Sequence, residues 1–598
     1  MSIADKLTSI LDSKTAIKEA LLEKGVPEVS DVLSDYPGYI LNIPSGGDSP
    51  VPDIPIPEWT YPENWIDMEQ VLNDNVIEGY PYRIAQLLGP GTSVKSSIIS
   101  ISQDPSTSQL LDITVPVRFS DGGYYELTNG GGATEHTWTC GKDEYRWIIY
   151  YYNVEEFKLT PYISWDCIYC VIDGLKLYGI TGTSSENQVQ KPNYSQYSFS
   201  FRRLLECIKG INSAELVTVG NDSFTNCNSL YKIDIPIGSF TGCSSVFSSC
   251  NRLQKVPEIK TSTEDIKRFD SIFYGCSSLK EIPETIKTDN GTSFFNMFDG
   301  CSSLKEIPET IKTDNGNGFS SMFSGCSLLK EIPESIKTDN GTNFNNMFNG
   351  CSSLKEIPES IKTDNGTNID SMFTYCSSLR EIPETIKTDK CSSLAGVFNG
   401  CYNLVTIPET FKTSHITSFS MTFNYCNSLR ELPNNFDTSS STNFSSIFGG
   451  CNSLREIPSL NVYKSTAYSF SSGSLPSGGN LIKLKNFILN PSISYPSLPN
   501  SRYLTDLSMD ISGCTQSQLT TMPNSLPSLT NFESLGSIDV AMNFSKCPYL
   551  THASLMSILN SLSEVTTTLK LTLGEINLAK LTEEEIAIGT SKGWSIIA

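Results

Sequence analysis

Residues 297–308 read Met297-Phe298-Asp299-Gly300-Cys301-Ser302-Ser303-Leu304-Lys305-Glu306-Ile307-Pro308. The core of this stretch, F-x-x-C-x-x-L-x-x-I-P, recurs with small variations ten times. Its cysteines fall at Cys227, Cys250, Cys276, Cys301, Cys326, Cys351, Cys376, Cys401, Cys426 and Cys451. After two early steps of 23 and 26 residues, every step is 25. A fixed period of this length marks a solenoid, in which each unit is one coil and buries its apolar side only against its neighbours. Such a chain offers a recognition surface sooner than a catalytic pocket.

Within a unit, Phe298, Cys301, Leu304 and Ile307 follow one another at intervals of three, and Pro308 closes the run. Stacked coils place equal residues in columns, so Cys276, Cys301, Cys326, Cys351 and Cys376 form one. Leu279, Leu304, Leu329, Leu354 and Leu379 form another. Both are expected inside, about 4.8 Å apart, the spacing of paired strands. The proline cannot donate to a ladder and is expected where a strand ends. Thr288-Asp289-Asn290-Gly291, repeated from Thr313, Thr338 and Thr363, signals a turn in which Asn-Gly accepts positive φ. Lys280, Lys305, Lys330 and Lys355 run beside Glu281, Glu306, Glu331 and Glu356, either as a solvated charged face or as a binding strip. The positions before each Met-Phe pair vary, and their apolar members Phe294, Phe319, Phe344 and Ile369 are the candidate binding surface.

A column spacing near 4.8 Å lies in the range of disulfide geometry, but columned side chains point in parallel and the dihedral would be strained. Metal binding needs converging ligands, and the whole chain holds only His136, His415 and His552. Cys167-Ile168-Tyr169-Cys170 is a single C-x-x-C without a partner pair. Buried, reduced thiols are the expectation, with no metal and no cofactor.

The 598 residues exceed one ordinary core and divide into several domains. A formal charge of −22 with no basic tract excludes a nucleic-acid partner. No apolar run approaches the roughly 18 to 20 residues a membrane span needs, so no membrane insertion is expected. The opening residues, Met1-Ser2-Ile3-Ala4-Asp5-Lys6, lack the basic segment and apolar core of a secretory signal. Export by another route, or as part of a particle, is the expectation. Nothing points to an enzyme: there is no G-x-S-x-G, no phosphate-cradling glycine loop and no histidine beside a nucleophile. Among 65 acidic residues some carboxylate pair is inevitable, and chance pairs carry no weight.

Five segments are read along the chain. Residues 1–45 are helical, with Ile3, Leu7, Ile10, Ile17 and Leu21 at alternating spacings of four and three and Lys14 in the seam. They form either a short parallel coiled coil, which permits a trimer, or one amphipathic helix packed on its neighbour. Residues 46–58, with Pro50, Pro52, Pro55 and Pro57, are a semi-rigid linker. Residues 59–215 are β-rich, shown by the alternation of Leu111, Ile113, Val115, Val117 and Phe119 and by the aromatic run Tyr145 to Tyr152. That aromatic content suits carbohydrate stacking, and equally a core and its rim. Residues 216–470 are the solenoid. Residues 471–598 hold degenerate coils and an α/β cap, with helical spacing from Thr551 to Leu562, a strand from Thr567 to Leu573, and a capping box at Thr582 and Glu585.

The repeat at Met297 to Pro308 resembles the BspA-like leucine-rich repeats of bacterial and protist surface proteins, over some two-fifths of the chain. The resemblance implies adhesion and protein or matrix binding, and carries no catalytic residue. Ser13-Lys14-Thr15-Ala16-Ile17-Lys18-Glu19-Ala20 with Asp35-Tyr36-Pro37 resembles the N-terminal segment of tailed-phage tail and fibre-associated proteins. Leu578 to Ala587 with Lys592-Gly593-Trp594 resembles the closing motif of leucine-rich-repeat proteins in gut-bacterial phages. Together these imply a virion structural protein made in the host bacterial cytoplasm, a tail- or head-fibre component displaying a solenoid to the host. It would dock on other virion proteins through its N-terminal segment and bind a host cell-surface glycan or protein. The alternative is a bacterial cell-surface adhesin of the BspA-like type.

Overall fold

A computed structural model describes residues 66–88, 93–98, 114–128, 134–139, 145–153, 156–157, 167–177, 199, 203–257, 259–260, 263, 266–465, 474–476, 480–492, 503–516, 519 and 526–598. The helical segment 1–45, its residues Ile3, Leu7, Ile10, Ile17 and Leu21, and the linker 46–58 lie outside the described residues. Residues 1–74 and residues 75–598 form two compact units. Of the first unit, the described part is the helix Met68–Asp74, with Met68 and Leu72 buried.

The second unit begins with six antiparallel strands, β1 (Tyr82–Leu88), β2 (Ser93–Ile98), β3 (Thr114–Phe119), β4 (Tyr124–Thr128), β5 (Thr134–Thr139) and β6 (Arg146–Tyr152). Of these, β2 and β5 form a separate two-stranded sheet. The alternation from Val115 to Phe119 and the aromatic run to Tyr152 thus form strands, with Val115, Val117 and Phe119 buried. Asp121-Gly122-Gly123 makes the expected turn, Gly122 at φ +88°.

Short β7 (Glu156–Phe157) precedes β8 (Cys167–Asp173), where the chain starts to coil. β8 pairs antiparallel with β1 and parallel with β10 (Cys207–Ile211), which pairs parallel with β12 (Lys232–Asp234). A second parallel column joins β7, β9 (Lys176–Leu177), β11 (Glu215–Val219) and β13 (Ile237–Phe240). Strands β1, β3, β4 and β6 and the first coils therefore share one seven-stranded sheet, in the order β12-β10-β8-β1-β6-β3-β4.

From β13 to β14 (Glu456–Ile457) the regular coils hold no extended strand among the described residues. Single parallel bridges such as Ser293↔Gly318 and Gly318↔Asn343 stand in their place. The expectation of stacked strands is corrected here, because the unit turns too often to extend. Alternate N–H groups instead point at the next coil: Phe294, Asn296, Phe298 and Gly300 donate to the carbonyls of Gly318, Ser320, Met322 and Ser324 at 2.7 to 3.0 Å. The intervening Met297, Asp299 and Cys301 close turns onto Phe294, Asn296 and Phe298. The backbone polar groups of this segment are satisfied without a strand, as burial demands. Pro283 likewise ends no strand; its carbonyl accepts from Ile286 N–H and opens a turn.

The core columns are as expected in identity and wider in spacing. Phe273, Phe298, Phe323, Phe348 and Phe373 stack nearly parallel with centroids 5.7 to 5.8 Å apart. This is the offset arrangement aromatic quadrupoles favour. The Leu and Cys columns are fully buried. Gly291 does not adopt the positive φ expected of Asn-Gly. It is glycine because a Cβ there would meet Phe294 Cζ at 2.5 Å and Phe269 Cδ2 at 3.1 Å.

After the repeats, β15 (Leu460–Asn461), β16 (Lys483–Ile488), β17 (Asp506–Asp510) and β18 (Asn531–Ser534) continue the parallel stack with β14. β19 (Met542–Asn543) pairs β20 (Leu569–Thr572), which pairs β21 (Trp594–Ile597). The helix His552–Ser561 is capped by Thr551, and the helix Glu583–Thr590 carries the full capping box of Thr582 and Glu585. One apolar core runs without a break from Ile84 to Trp594.

An aromatic and basic face as candidate functional site

Two ladders fix how coils stack. The buried Thr338 hydroxyl donates to Lys362 O and accepts from Lys362 N–H, both at 2.7 Å. Thr288, Thr313 and Thr363 do the same toward Lys312, Lys337 and Lys387. Outside them, Lys312, Lys337, Lys362, Lys387 and Lys412 pair with Asp289, Asp314, Asp339, Asp364 and Asp389 of the preceding coil at 2.5 to 2.7 Å. The hydrogen bond from Lys312 holds the Asp289 carboxyl below its ordinary range. The Lys-Thr-Asp turn was thus a stacking device that sequence reasoning took for a turn signal only.

Each column cysteine donates its thiol to a phenylalanine carbonyl of the preceding coil, as Cys301 Sγ to Phe273 O at 3.1 Å and Cys326 Sγ to Phe298 O at 3.2 Å. Burial pushes the Cys276 thiol up to about 12 and raises Cys301, Cys326, Cys351 and Cys376 as well. These thiols are core groups. Among the described residues all seventeen cysteines are buried and free of disulfides.

Phe294, Phe319, Phe344 and Ile369 are fully buried at 0% exposure, so the apolar residues chosen as binding surface belong to the core. They alternate inward with the coil, and sequence variation there reflects packing. The solvent-facing departures lie elsewhere, around the cysteine. The residue before it is Asn226 and Ser249 in the first two coils, at φ +58° and +60°, then Gly275, Gly300, Gly325, Gly350, Gly400 and Gly450, but Tyr375 and Tyr425 in two of these last eight coils. The glycines sit at φ +70 to +78°. The tyrosines keep that left-handed backbone, at +58° and +60°, and their side chains are 51% and 53% exposed. A bulky residue in this region costs about 1–2 kcal/mol, and a half-exposed ring recovers little by burial.

The next coil accommodates each ring. A Cβ on Gly400 would meet Tyr375 Cδ1 at 2.5 Å, and one on Gly450 would meet Tyr425 Cδ1 at 2.8 Å. The tyrosine backbones are held firmly, Tyr375 N–H on Asn399 O at 2.7 Å and Tyr425 N–H on Gly449 O at 2.5 Å. Between them Tyr402 is 37% exposed. Its phenol is shifted upward by burial first and then by the neighbouring Tyr375 and Tyr425.

The same coils change their charge. Four residues past the cysteine the column reads Lys280, Lys305, Lys330 and Lys355, then Arg380, Val405, Arg430 and Arg455. In the central coil Val405-Thr406 replaces the Lys-Glu pair. The coils of Tyr375 and Tyr425 thus carry Arg380 and Arg430, and the coil of Tyr402 between them carries Val405. Beyond them a groove of about 680 Å³ is lined by Arg430, Ser453, Arg455, Asn480 and Tyr503. Tyr and Arg are the residues in which binding energy concentrates.

Against known proteins, the family described as "Mycoplasma protein of unknown function, DUF285" matches residues 241–360, 296–406 and 367–471, the repeat region. No curated protein matches the chain. Similar solved structures include a leucine-rich repeat protein from Eubacterium ventriosum, at 15% identity over 52% of this chain and 94% of that one, with a TM-score of 0.26. An LRR protein of Leptospira interrogans matches at 13% identity over 66% and 84%, TM-score 0.19. The functional domain of InlJ from Listeria monocytogenes, described as including a cysteine ladder, matches at 11% over 60% and 74%, TM-score 0.16. With scores this low, the solenoid assignment rests on the coils themselves.

Proposed function

We propose that this chain is a non-enzymatic recognition protein that binds a cell-surface glycan or protein through the face centred on Tyr375, Tyr402 and Tyr425. The observation that carries this reading is the pair of half-exposed aromatic rings in a left-handed position that the other coils give to glycine or, in the first two, to the small polar Asn226 and Ser249. Backbone strain without compensating burial is retained where a site needs it. The test is an array of cell-surface glycans and matrix proteins probed with the full chain and with a Tyr375→Gly, Tyr402→Ser, Tyr425→Gly variant. Retention of the wild type and loss in the variant is expected; equal retention of both would overturn the face.

Its carrier is a separate matter. The terminal resemblances favour a virion component, docked through residues 1–45 and oligomeric there. The repeat resemblance and the match over residues 241–471 favour a cell-surface adhesin. Mass spectrometry on gradient-purified particles and on washed cell envelopes separates the two: a fixed copy number in particles means a virion protein, and recovery in envelopes alone means an adhesin.

A further inference from the structure

We infer that the arginine end of this face takes a carboxylate-bearing sugar chain, an inference that rests on the recognition reading above. The column that is lysine in four successive coils becomes Arg380, Val405, Arg430 and Arg455 in the next four, beginning at the coil of Tyr375. Lysine would serve equally for a solvated charge. The planar guanidinium is the group that grips a carboxylate with two parallel hydrogen bonds.

Among the described residues neither Arg430 nor Arg455 has an ion-pair partner, although carboxylates stand close in sequence. Glu456 is held by Lys485 at 3.0 Å and Lys483 at 3.6 Å. Val405-Thr406 removes the carboxylate that the central coil would otherwise add. Glu431 remains as the acidic neighbour. Arg430 and Arg455 are the cations that line the groove, on a chain of charge −22.

The rest of the groove is built for sugar. Tyr503, 54% exposed, offers a ring face. Asn480 donates Nδ2 to Asn452 O at 2.6 Å, which fixes its amide and leaves the amide oxygen to accept from a hydroxyl. The Ser453 hydroxyl lies on the same wall. A few fixed polar groups beside an aromatic surface are the usual means of orienting a ligand. An acidic peptide would also reach the arginines, but apart from Ile482 the lining offers its side chains no apolar pocket.

The test is titration calorimetry of the full chain with oligogalacturonate, the same oligomer fully methyl-esterified, and polyglutamate. Oligogalacturonate is expected to bind at least tenfold tighter than the ester. Arg430→Gln and Arg455→Gln should each weaken it at least tenfold, and Arg430→Lys less. Both residues are exposed and join the coils through backbone hydrogen bonds, which a side-chain substitution keeps, so the variants should keep the wild-type melting temperature. Equal binding of acid and ester, or unchanged binding in the Gln variants, overturns the inference; loss with Tyr402→Ala alone would leave the recognition reading intact. Polyglutamate binding as tightly as the sugar overturns the ligand class. Failure of the acid oligomer to bind also overturns the inference, whereas tyrosine-dependent retention on the array tests the recognition reading separately.

Discussion

Tyr425 makes a sharp test, because its backbone and its ring have opposite effects on stability. Tyr425→Ala removes the ring and keeps a Cβ at φ +60°. Tyr425→Gly removes both. The left-handed backbone costs a non-glycine residue about 1–2 kcal/mol, while glycine gives up about 0.5–1 kcal/mol through the greater freedom of the unfolded chain. The glycine variant should therefore be more stable than the alanine variant by about 1 kcal/mol, although it has the smaller side chain. In an array of coils the effect is best read locally. The amides of Phe423 and Tyr425 donate to Ile447 O and Gly449 O of the next coil. Their hydrogen exchange should be about fivefold slower in the glycine variant than in the alanine variant. Both variants should lose ligand equally. Exchange that is equal, or slower with alanine, would refute the claim that this position holds strain, and with it the reason for assigning tyrosine a function there.

Further outcomes follow from the ladders and the thiols. Thr338→Val strands Lys362 N–H and Lys362 O inside the stack and should destabilise by about 2–4 kcal/mol in urea titration. Thr385→Val should be neutral or stabilising, because the Thr385 hydroxyl is buried without a partner. Lys337→Met removes one exposed rung to Asp314 and should shift stability by less than about 1 kcal/mol. A thiol reagent should label none of the column cysteines until denaturant is added. For Cys276 the folded value is raised from 9.0 to about 12, so its contribution is complete below pH 9 and is lost as pH rises toward 12. Each such thiol gives a slope of about 1.4 kcal/mol per pH unit in that window. Alkaline unfolding should accordingly be steep, and Cys276→Ala should soften it.

Much of the architecture is written in period and residue type. The inward Phe, Cys, Leu and Ile positions are identifiable because a fixed register repeats them, and Thr582 with Glu585 marks its helix unaided. Local geometry was harder to read. Asn-Gly implied a left-handed glycine, yet Gly291 is dictated by the ring of Phe294, a contact no local rule contains. The Lys-Thr-Asp turn hid two inter-coil ladders, since the partners are some 23 to 24 residues apart. The site was missed for a different reason. Variation at Phe294 and Ile369 resembled surface variation, whereas the informative signal was the break at Tyr375 and Tyr425 in the column that is otherwise glycine over the last eight coils. Aligning the ten coils on their cysteines displays that break, together with the change from lysine to arginine.

The most direct measurement is a hydrogen-exchange footprint of the full chain with and without the ligand its array screen retains. Protection should concentrate at residues 374–380, 399–406 and 424–431, around Tyr375, Tyr402 and Tyr425. Protection centred on the Lys–Asp ladder, or spread evenly over all coils, would contradict recognition through this face.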